Sequence, residues 1–249
     1  MKIDDYKLAA EWILKSKNTI LFTGAGISVE SGIPTFRGED GIWSRYDPSF
    51  LLMDNFRKNP KKSWDLIYEI FYDFFNKAKP NNAHYIIAEL ETIGLINGTI
   101  TQNIDNLHQK AGSKEIIEYH GTSQTVSCLS CNHDFESKDL VNKERLPPRC
   151  PDCGGLLRPN FVFFSEPIPT EAQFLSNKYA STAELFILVG TTGEIMPASL
   201  IPYLAKDRGA RIIEINIERT KYTQKIVDIF LEGQATKVFM KLKDYLIPY

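Results

Sequence analysis

Apolar and polar positions along the 249-residue chain follow two periods, and each period marks a kind of element. Residues 5–17 bring Leu8, Ala9, Trp12 and Ile13 to one face at spacings of three and four, which predicts an amphipathic helix. A short apolar run at 19–23 predicts a strand that feeds a glycine turn. Residues 60–78 predict a long aromatic helix carrying Trp64, Tyr68, Phe71, Tyr72, Phe74 and Phe75. Asn81 or Asn82 caps the next helix, which runs to Thr92 and stops at Gly94. Apolar stretches rich in β-formers at 99–104, 116–119, 161–164, 185–189 and 211–217 predict strands. A helix over 198–207, ended by Gly209, separates the last two strands, and a final helix runs from about 236 to 246.

Alternating strands and helices predict an α/β class with a mostly parallel, Rossmann-like sheet covered on both faces. Two segments break the alternation, 39–79 and 124–157. The economical architecture is a large domain built from 1–38, 80–123 and 158–249, with a small lobe made from a helical part (39–79) and a cysteine-bearing part (124–157). Ligands of open α/β sheets bind outside the carboxyl ends of the strands. Four predicted strands end there in polar sequences: TGAG, TQNID, VGTTGE and NIE.

With 43% apolar and 24% charged residues the composition is that of an ordinary soluble protein. A net charge of −2 marks neither a nucleic-acid binder nor a membrane-surface protein. The first residues, Met1-Lys2-Ile3-Asp4-Asp5, form no signal-peptide core, and no apolar run approaches the roughly 18 residues that span a bilayer. A cytoplasmic protein without membrane or direct nucleic-acid partners is expected.

The four cysteines, Cys128, Cys131, Cys150 and Cys153, form two C-x2-C pairs separated by eighteen residues. That spacing suits one tetrahedral zinc ion held by four thiolates. Paired disulfides are the competing reading, but without a secretory signal an oxidising compartment is not expected. A nucleic-acid-binding zinc ribbon is disfavoured, because Lys138, Lys143, Arg145 and Arg149 are matched by Asp134, Glu136, Asp139, Glu144 and Asp152.

The stretch GAGISVESGIPTFRG (24–38) begins like a dinucleotide-binding turn, yet Val29 stands where the third glycine of G-x-G-x-x-G belongs. Pro34, Arg37 and Gly38 then exclude the crossover helix of a nicotinamide oxidoreductase. Gly24 to Ser28 suit phosphate, while Phe36 and Arg37 suit a loop that covers a ribose and its leaving group. In TQNIDNLH, four polar groups crowd the exit of a strand. The amides suit ribose hydroxyls or a neutral carboxamide, and Asp105 suits an amide N–H or a developing positive charge. His120, between the two predicted lobes, is a candidate base. His108 reads as structural, as do His84 in a helix and His133 in the cysteine loop.

GAGIS…GIPTFRG, TQNIDNLH, YHG, the four-cysteine site, RPNFVFFSE, VGTT and NIE stand in the order found in sirtuins, and the chain resembles that family over nearly its whole length. The resemblance implies an NAD⁺-dependent protein-lysine deacylase of the bacterial or archaeal type. Gly24, Ala25, Gly26, Ile27 and Ser28 would form the phosphate turn, with Phe36 and Arg37 in the cofactor loop. Gln102 would contact ribose, and Asn103, Ile104 and Asp105 would form the nicotinamide pocket. Gly190, Thr191 and Thr192 would lie near the phosphates; Asn216, Ile217, Glu218 and Ala235 would surround the adenosine. Val162, Phe163 and Phe164 would flank an acyl-lysine peptide held as an added strand. In the mechanism so implied, the acyl oxygen attacks the ribose carbon and expels nicotinamide. His120 then acts as general base on a ribose hydroxyl, assisted by Asn103 and Asp105, and O-acyl-ADP-ribose leaves. The zinc is implied to be structural.

Three positions depart from the family's pattern. Gly193-Glu194 replace the Ser-Leu pair of many deacetylases, and Ser165 stands where glycine is usual before Glu166. Desuccinylating members carry a tyrosine and an arginine at positions matching Tyr68 and Phe71, so this chain should prefer acetyl or other neutral acyl groups. Protein ADP-ribosyl transfer and removal of acidic acyl groups are the alternatives on the same fold.

Overall fold

The structure is a computed structural model that describes residues 4–36 and 41–247. Six strands, β1 (Thr19–Thr23), β2 (Gly98–Thr101), β3 (Ile116–Glu118), β7 (Leu185–Val189), β8 (Arg211–Asn216) and β9 (Ile229–Glu232), form one parallel, Rossmann-like sheet in the order β3-β2-β1-β7-β8-β9. Every residue of β1 and β7 is buried, as expected of strands covered on both faces. Alternate side chains separate the faces. Leu21, Ile187, Val189 and Ile213 pack under the helices Asp5–Lys15, Asn82–Thr92 and Ala235–Leu246, whereas Ile20, Phe22, Phe186 and Leu188 pack toward Thr170–Thr182 and Ile201–Asp207. Strand order reverses between β1 and β7, which opens a crevice at their carboxyl ends.

The two irregular segments share a separate core. Strands β4 (Gly121–Cys128), β5 (Asp134–Glu136) and β6 (Leu157–Phe161) form an antiparallel sheet in the order β5-β4-β6. Trp64, Phe56, Phe71 and Phe75 pack with Val126, Leu157, Phe161 and Phe163. Trp64 Nε1 donates to Leu157 O at 2.9 Å, joining the helical and cysteine segments, and Tyr72 Oη donates to Ser123 O at 3.1 Å in β4, just ahead of the cysteine segment.

Several elements differ from expectation. The aromatic helix over 60–78 contains a π-helical turn, Tyr68–Tyr72, between Pro60–Ile67 and Asp73–Lys77. The strand expected over 161–164 lies earlier, as β6, and belongs to the small sheet. Beyond it the chain stays extended, with Val162 N–H donating to His120 O and Phe164 N–H to Leu51 O. β2 ends at Thr101 rather than 104, and Asn106 takes a left-handed φ of 62°. The helix Thr170–Thr182 and strand β9 escape the pattern. The helix buries only Ser176 and Ala180, so it carries no apolar stripe, and β9 is four residues long.

One of the three departures from the family's pattern finds a backbone reason, and a second runs against the backbone's preference. Gly193 has φ 74°, and a Cβ there would lie 2.7 Å from the Tyr222 ring, so glycine is demanded by local packing. Ser165 has φ 68°, the left-handed region that favours glycine. Ser165→Gly should therefore raise stability by ~0.5–1 kcal/mol in urea denaturation, and a less stable variant would contradict this.

His84 and His108 are buried edge to face, with ring centroids 4.9 Å apart. His84 completes a capping box with Asn81. Burial lowers the pKa of His84 from 6.5 to about 4 and pushes that of His108 well below its usual value. The unfolded chain takes up protons that the folded chain refuses between about pH 4 and 6.5, so stability is complete above that window and is lost as pH falls through it. Unfolding free energies from urea denaturation should decline from pH 6.5 to 5, by up to ~1.4 kcal/mol per pH unit for each ring. A flat profile would contradict the burial.

Candidate active-site cleft and metal centre

The crevice at the strand reversal is a cleft of about 440 Å³. Its floor is backbone meeting backbone. Gly24 N–H donates to Val189 O at 3.0 Å and Gly26 N–H to Gly190 O at 2.9 Å. A Cβ on Gly26 would stand 2.6 Å from Gly190 Cα, and Gly190 itself has φ 59°. Only glycine permits this approach, which leaves the turn Ala25–Ser31 wrapped over the end of β7.

The strand tips β1, β2, β7 and β8 bring Gly24, Ala25, Gly26, Gln102, Asn103, Gly190, Thr191, Thr192, Asn216, Ile217 and Glu218 to this cleft. Phe36, His120 and Ala235 join them. Ile27, Ser28, Ile104 and Asp105 are buried and do not line it. Ser28 and Asp105 form a layer behind: Ser28 Oγ donates to Asp105 Oδ2 at 2.6 Å, and Leu107 N–H donates to Oδ1 at 3.0 Å. Burial raises the Asp105 pKa, and these hydrogen bonds oppose the rise. Asp105 thus orients Ser28 instead of reaching the open cleft. Arg37 lies outside the described residues.

Both amides are tied by their nitrogen ends. Asn103 Nδ2 donates to Gly24 O at 3.1 Å and Ser28 Oγ at 3.2 Å, and Gln102 Nε2 donates to Thr191 Oγ1 at 3.0 Å and Thr23 O at 3.3 Å. With both N–H bonds committed, each presents a carbonyl oxygen, an acceptor suited to hydroxyl groups. His120 Nδ1 stands 3.0 Å from Gln102 O. A carbonyl only accepts, so Nδ1 carries the proton and Nε2 keeps its lone pair. Burial lowers the His120 pKa, and the bond to Gln102 O partly opposes that, so the ring is neutral and basic at neutral pH.

Val29, Glu30, Thr35 and Glu194, which lie within the quoted motifs without having been singled out as site residues, also line the cleft, as do Ile195, Ile215, Gly233 and Gln234, which lie outside them. Glu30 additionally accepts from Thr236 N–H at 3.1 Å, capping the helix Ala235–Leu246. Gly233 was the available signal, since a glycine between a strand and a helix start marks a strand tip. It is legible only once β9 is recognised.

An aromatic chain leads from the cleft into the small core. Phe36 stacks on Trp43 at 5.5 Å and meets Phe71 at 6.2 Å; Trp43 meets Phe164 edge-on at 5.9 Å. Phe71 is buried against Phe161 and Phe75, while Tyr68 stacks on Tyr72. Of the residues expected along a peptide, Val162 and Phe164 are partly exposed. Phe163 is not available to a ligand: its ring is 1% exposed, packs on Phe56 and lies under the Arg158 guanidinium at 4.5 Å.

The four cysteine sulfurs lie within 4.8 Å of one another, with Cys128 and Cys153 at 3.5 Å and Cys131 and Cys150 at 3.7 Å. A tetrahedral zinc–thiolate site, with bonds of about 2.3 Å, sets sulfurs about 3.8 Å apart. The thiols are unpaired and converge as one donor set, so they fit one zinc ion. Four thiolates leave no open position, which makes such a site structural.

The sequence profile of the Sir2 family matches residues 24–197. An NAD-dependent protein deacylase of Pyrococcus abyssi is 44% identical over 239 residues, covering 94% of each chain. A Sir2 homologue mutant bound to ADP-ribose superimposes with a TM-score of 0.91 at 40% identity, covering 98% of this chain and 96% of that one. A Sir2 mutant holding a deacetylated p53 peptide and 3′-O-acetyl ADP-ribose superimposes with a TM-score of 0.90 at 34% identity, covering 96% and 97%. The profile spans more than half of the chain and the relatives match it over nearly its whole length, so this chain belongs to the Sir2 family.

Proposed function

We propose that the protein removes acetyl or other neutral acyl groups from protein lysines with NAD⁺ as co-substrate, releasing nicotinamide and O-acyl-ADP-ribose. The observation that carries this reading is the pairing of a neutral His120, Nδ1 anchored on Gln102 O, with two carbonyl-presenting amides in one cleft. Relatives named as NAD-dependent deacylases, and a neighbour holding an acetyl ADP-ribose, support it.

On this reading the diphosphate sits over the Gly24–Gly26 turn and Gly190–Thr192, with Ala25, Thr191 and Thr192 offering N–H groups because those of Gly24, Gly26 and Gly190 are committed to the sheet, and Asn216 to Glu218 with Ala235 flank the adenosine. Phe36 and Arg37 close over the nicotinamide ribose. Gln102 and Asn103 accept from ribose hydroxyls, and His120 Nε2 removes the hydroxyl proton when that oxygen attacks the activated acyl group. Asp105 and Ile104 shape the nicotinamide pocket from behind, with Ser28 as intermediary. Val162 and Phe164 take the acyl-lysine peptide as an extended strand in the gap between a large domain and a lobe formed by 39–79 and 124–157. Zinc on Cys128, Cys131, Cys150 and Cys153 braces that lobe. A cytoplasmic location goes with this reading, because a reducing compartment keeps four such thiols unpaired.

The acyl preference rests on the rings near Phe36. Phe71, where desuccinylating members carry an arginine, is buried against Phe75 and Phe161 and offers an acidic acyl group no cation, and an unpaired buried carboxylate costs several kcal/mol.

The test is an acyl-peptide panel with NAD⁺, followed by mass spectrometry. Acetyl-lysine should be consumed one-for-one with nicotinamide released, and succinyl-lysine should turn over at least about tenfold more slowly. His120→Ala should lose turnover and keep its fold. Turnover without NAD⁺, or an active His120→Ala protein, would sink the reading.

A further inference from the structure

One buried titratable group has no part in the chemistry above. His108 is 1% exposed, does not line the cleft, and burial holds it neutral. Its Nε2 stands 3.0 Å from Thr23 Oγ1, and its Nδ1 has no hydrogen-bond partner among the described residues. The ring's whole hydrogen-bonding contribution therefore goes to Thr23.

Thr23 Oγ1 lies 2.9 Å from Thr101 Oγ1, and Thr101 Oγ1 accepts the backbone N–H of Asn103 at 3.1 Å. Thr23 and Thr101 are register partners at the ends of β1 and β2, so the contact is built into the sheet. Asn103 lies past the end of β2, where no ladder partner is available to hold its N–H. Its side chain is one of the two cleft amides whose N–H ends are committed, which leaves the carbonyl oxygen as its acceptor.

We propose that His108 is a positioning residue for Asn103, acting through the Thr23 and Thr101 hydroxyls that separate the buried imidazole from the cleft. Proton counting supports this in either direction. If Thr101 donates to Thr23, then Thr23 donates to His108 Nε2; if His108 donates, both hydroxyls reverse. In both arrangements the imidazole terminates the chain. An apolar side chain at 108 removes the partner that fixes the Thr23 hydroxyl, its acceptor in one arrangement and its donor in the other, so Thr23 is free to turn and Thr101 to follow. A purely packing role, filling space beside His84, would place no demand on Thr23.

The catalytic consequence rests on the deacylase reading, whereas the structural consequence does not. Amide hydrogen exchange should show the Asn103 N–H protected in the native protein, and about tenfold faster exchange in His108→Leu and in Thr23→Val, with protection restored by His108→Gln. Turnover in His108→Leu should fall about tenfold with peptide KM unchanged, and the same substitution should add no further loss in an Asn103→Ala background. Native Asn103 exchange in both His108→Leu and Thr23→Val would overturn the proposal. So would an equal loss from His108→Leu with and without Asn103. If His108→Leu fails to fold, Thr23→Val carries the exchange comparison alone. A native protein without NAD⁺-dependent turnover would defeat the functional reading and leave the exchange result to judge this one.

Discussion

Gly26 and Gly190 meet backbone to backbone at the strand reversal, and the arrangement of the cleft follows from that approach. A Cβ on either residue would lie 2.6 Å from the other's main chain, so the first turn after β1 folds over the end of β7 only because neither carries a side chain. The contact lines up the N–H groups of Gly24 and Gly26 with Val189 O and Gly190 O. It also sets Gly24 O where Asn103 Nδ2 can reach it. Asn103 in turn reaches Ser28 Oγ, and Ser28 reaches Asp105, so one steric constraint orients four polar groups. None of these side chains could hold its place on an open loop, because each bond leads to buried main chain or to another buried partner.

The same logic explains why a site made mostly of neutral groups suits the chemistry proposed for it. Amides committed by their N–H ends present only acceptors, and an imidazole anchored at Nδ1 presents only a lone pair. Such a set recognises hydroxyls and receives a proton without first giving one up. The small core completes the enclosure. Phe36 is shared between the cleft and the aromatic chain through Trp43 and Phe71, so the loop after the glycine turn is packed against the lobe that carries the cysteine site.

Much of this was legible in the sequence, for identifiable reasons. Alternating strands and helices announced a covered parallel sheet, in which β1 and β7 are buried throughout, and the two C-x2-C pairs announced their convergence. Gln102, Asn103 and His120 were legible as site residues because polar groups at strand exits are rare without a ligand. What escaped depended on tertiary contacts. Asp105 reads as a cleft carboxylate until Ser28 is seen to stand before it. Phe163 reads as a neighbour of Val162 and Phe164 until strand alternation sends its ring beneath Arg158. Glu30, though inside the glycine-turn motif, shows its place only through its bond to the start of the last helix, and Gln234 has no motif because β9 before it is too short to declare itself. The backbone angle at Ser165 explains the family's usual glycine, and nothing in the structure explains the serine.

Because the glycine contact is placed at the root of the site, the most direct measurement is the affinity of Gly190→Ala for ADP-ribose by titration calorimetry. The substitution adds a methyl group against the main chain of Gly26 at a residue with φ 59°. Binding should weaken by at least about tenfold while unfolding stays cooperative and one zinc ion stays bound per chain. Affinity equal to the native protein's in a folded variant would show that the close approach does not build the cleft, and the account would fail at its base.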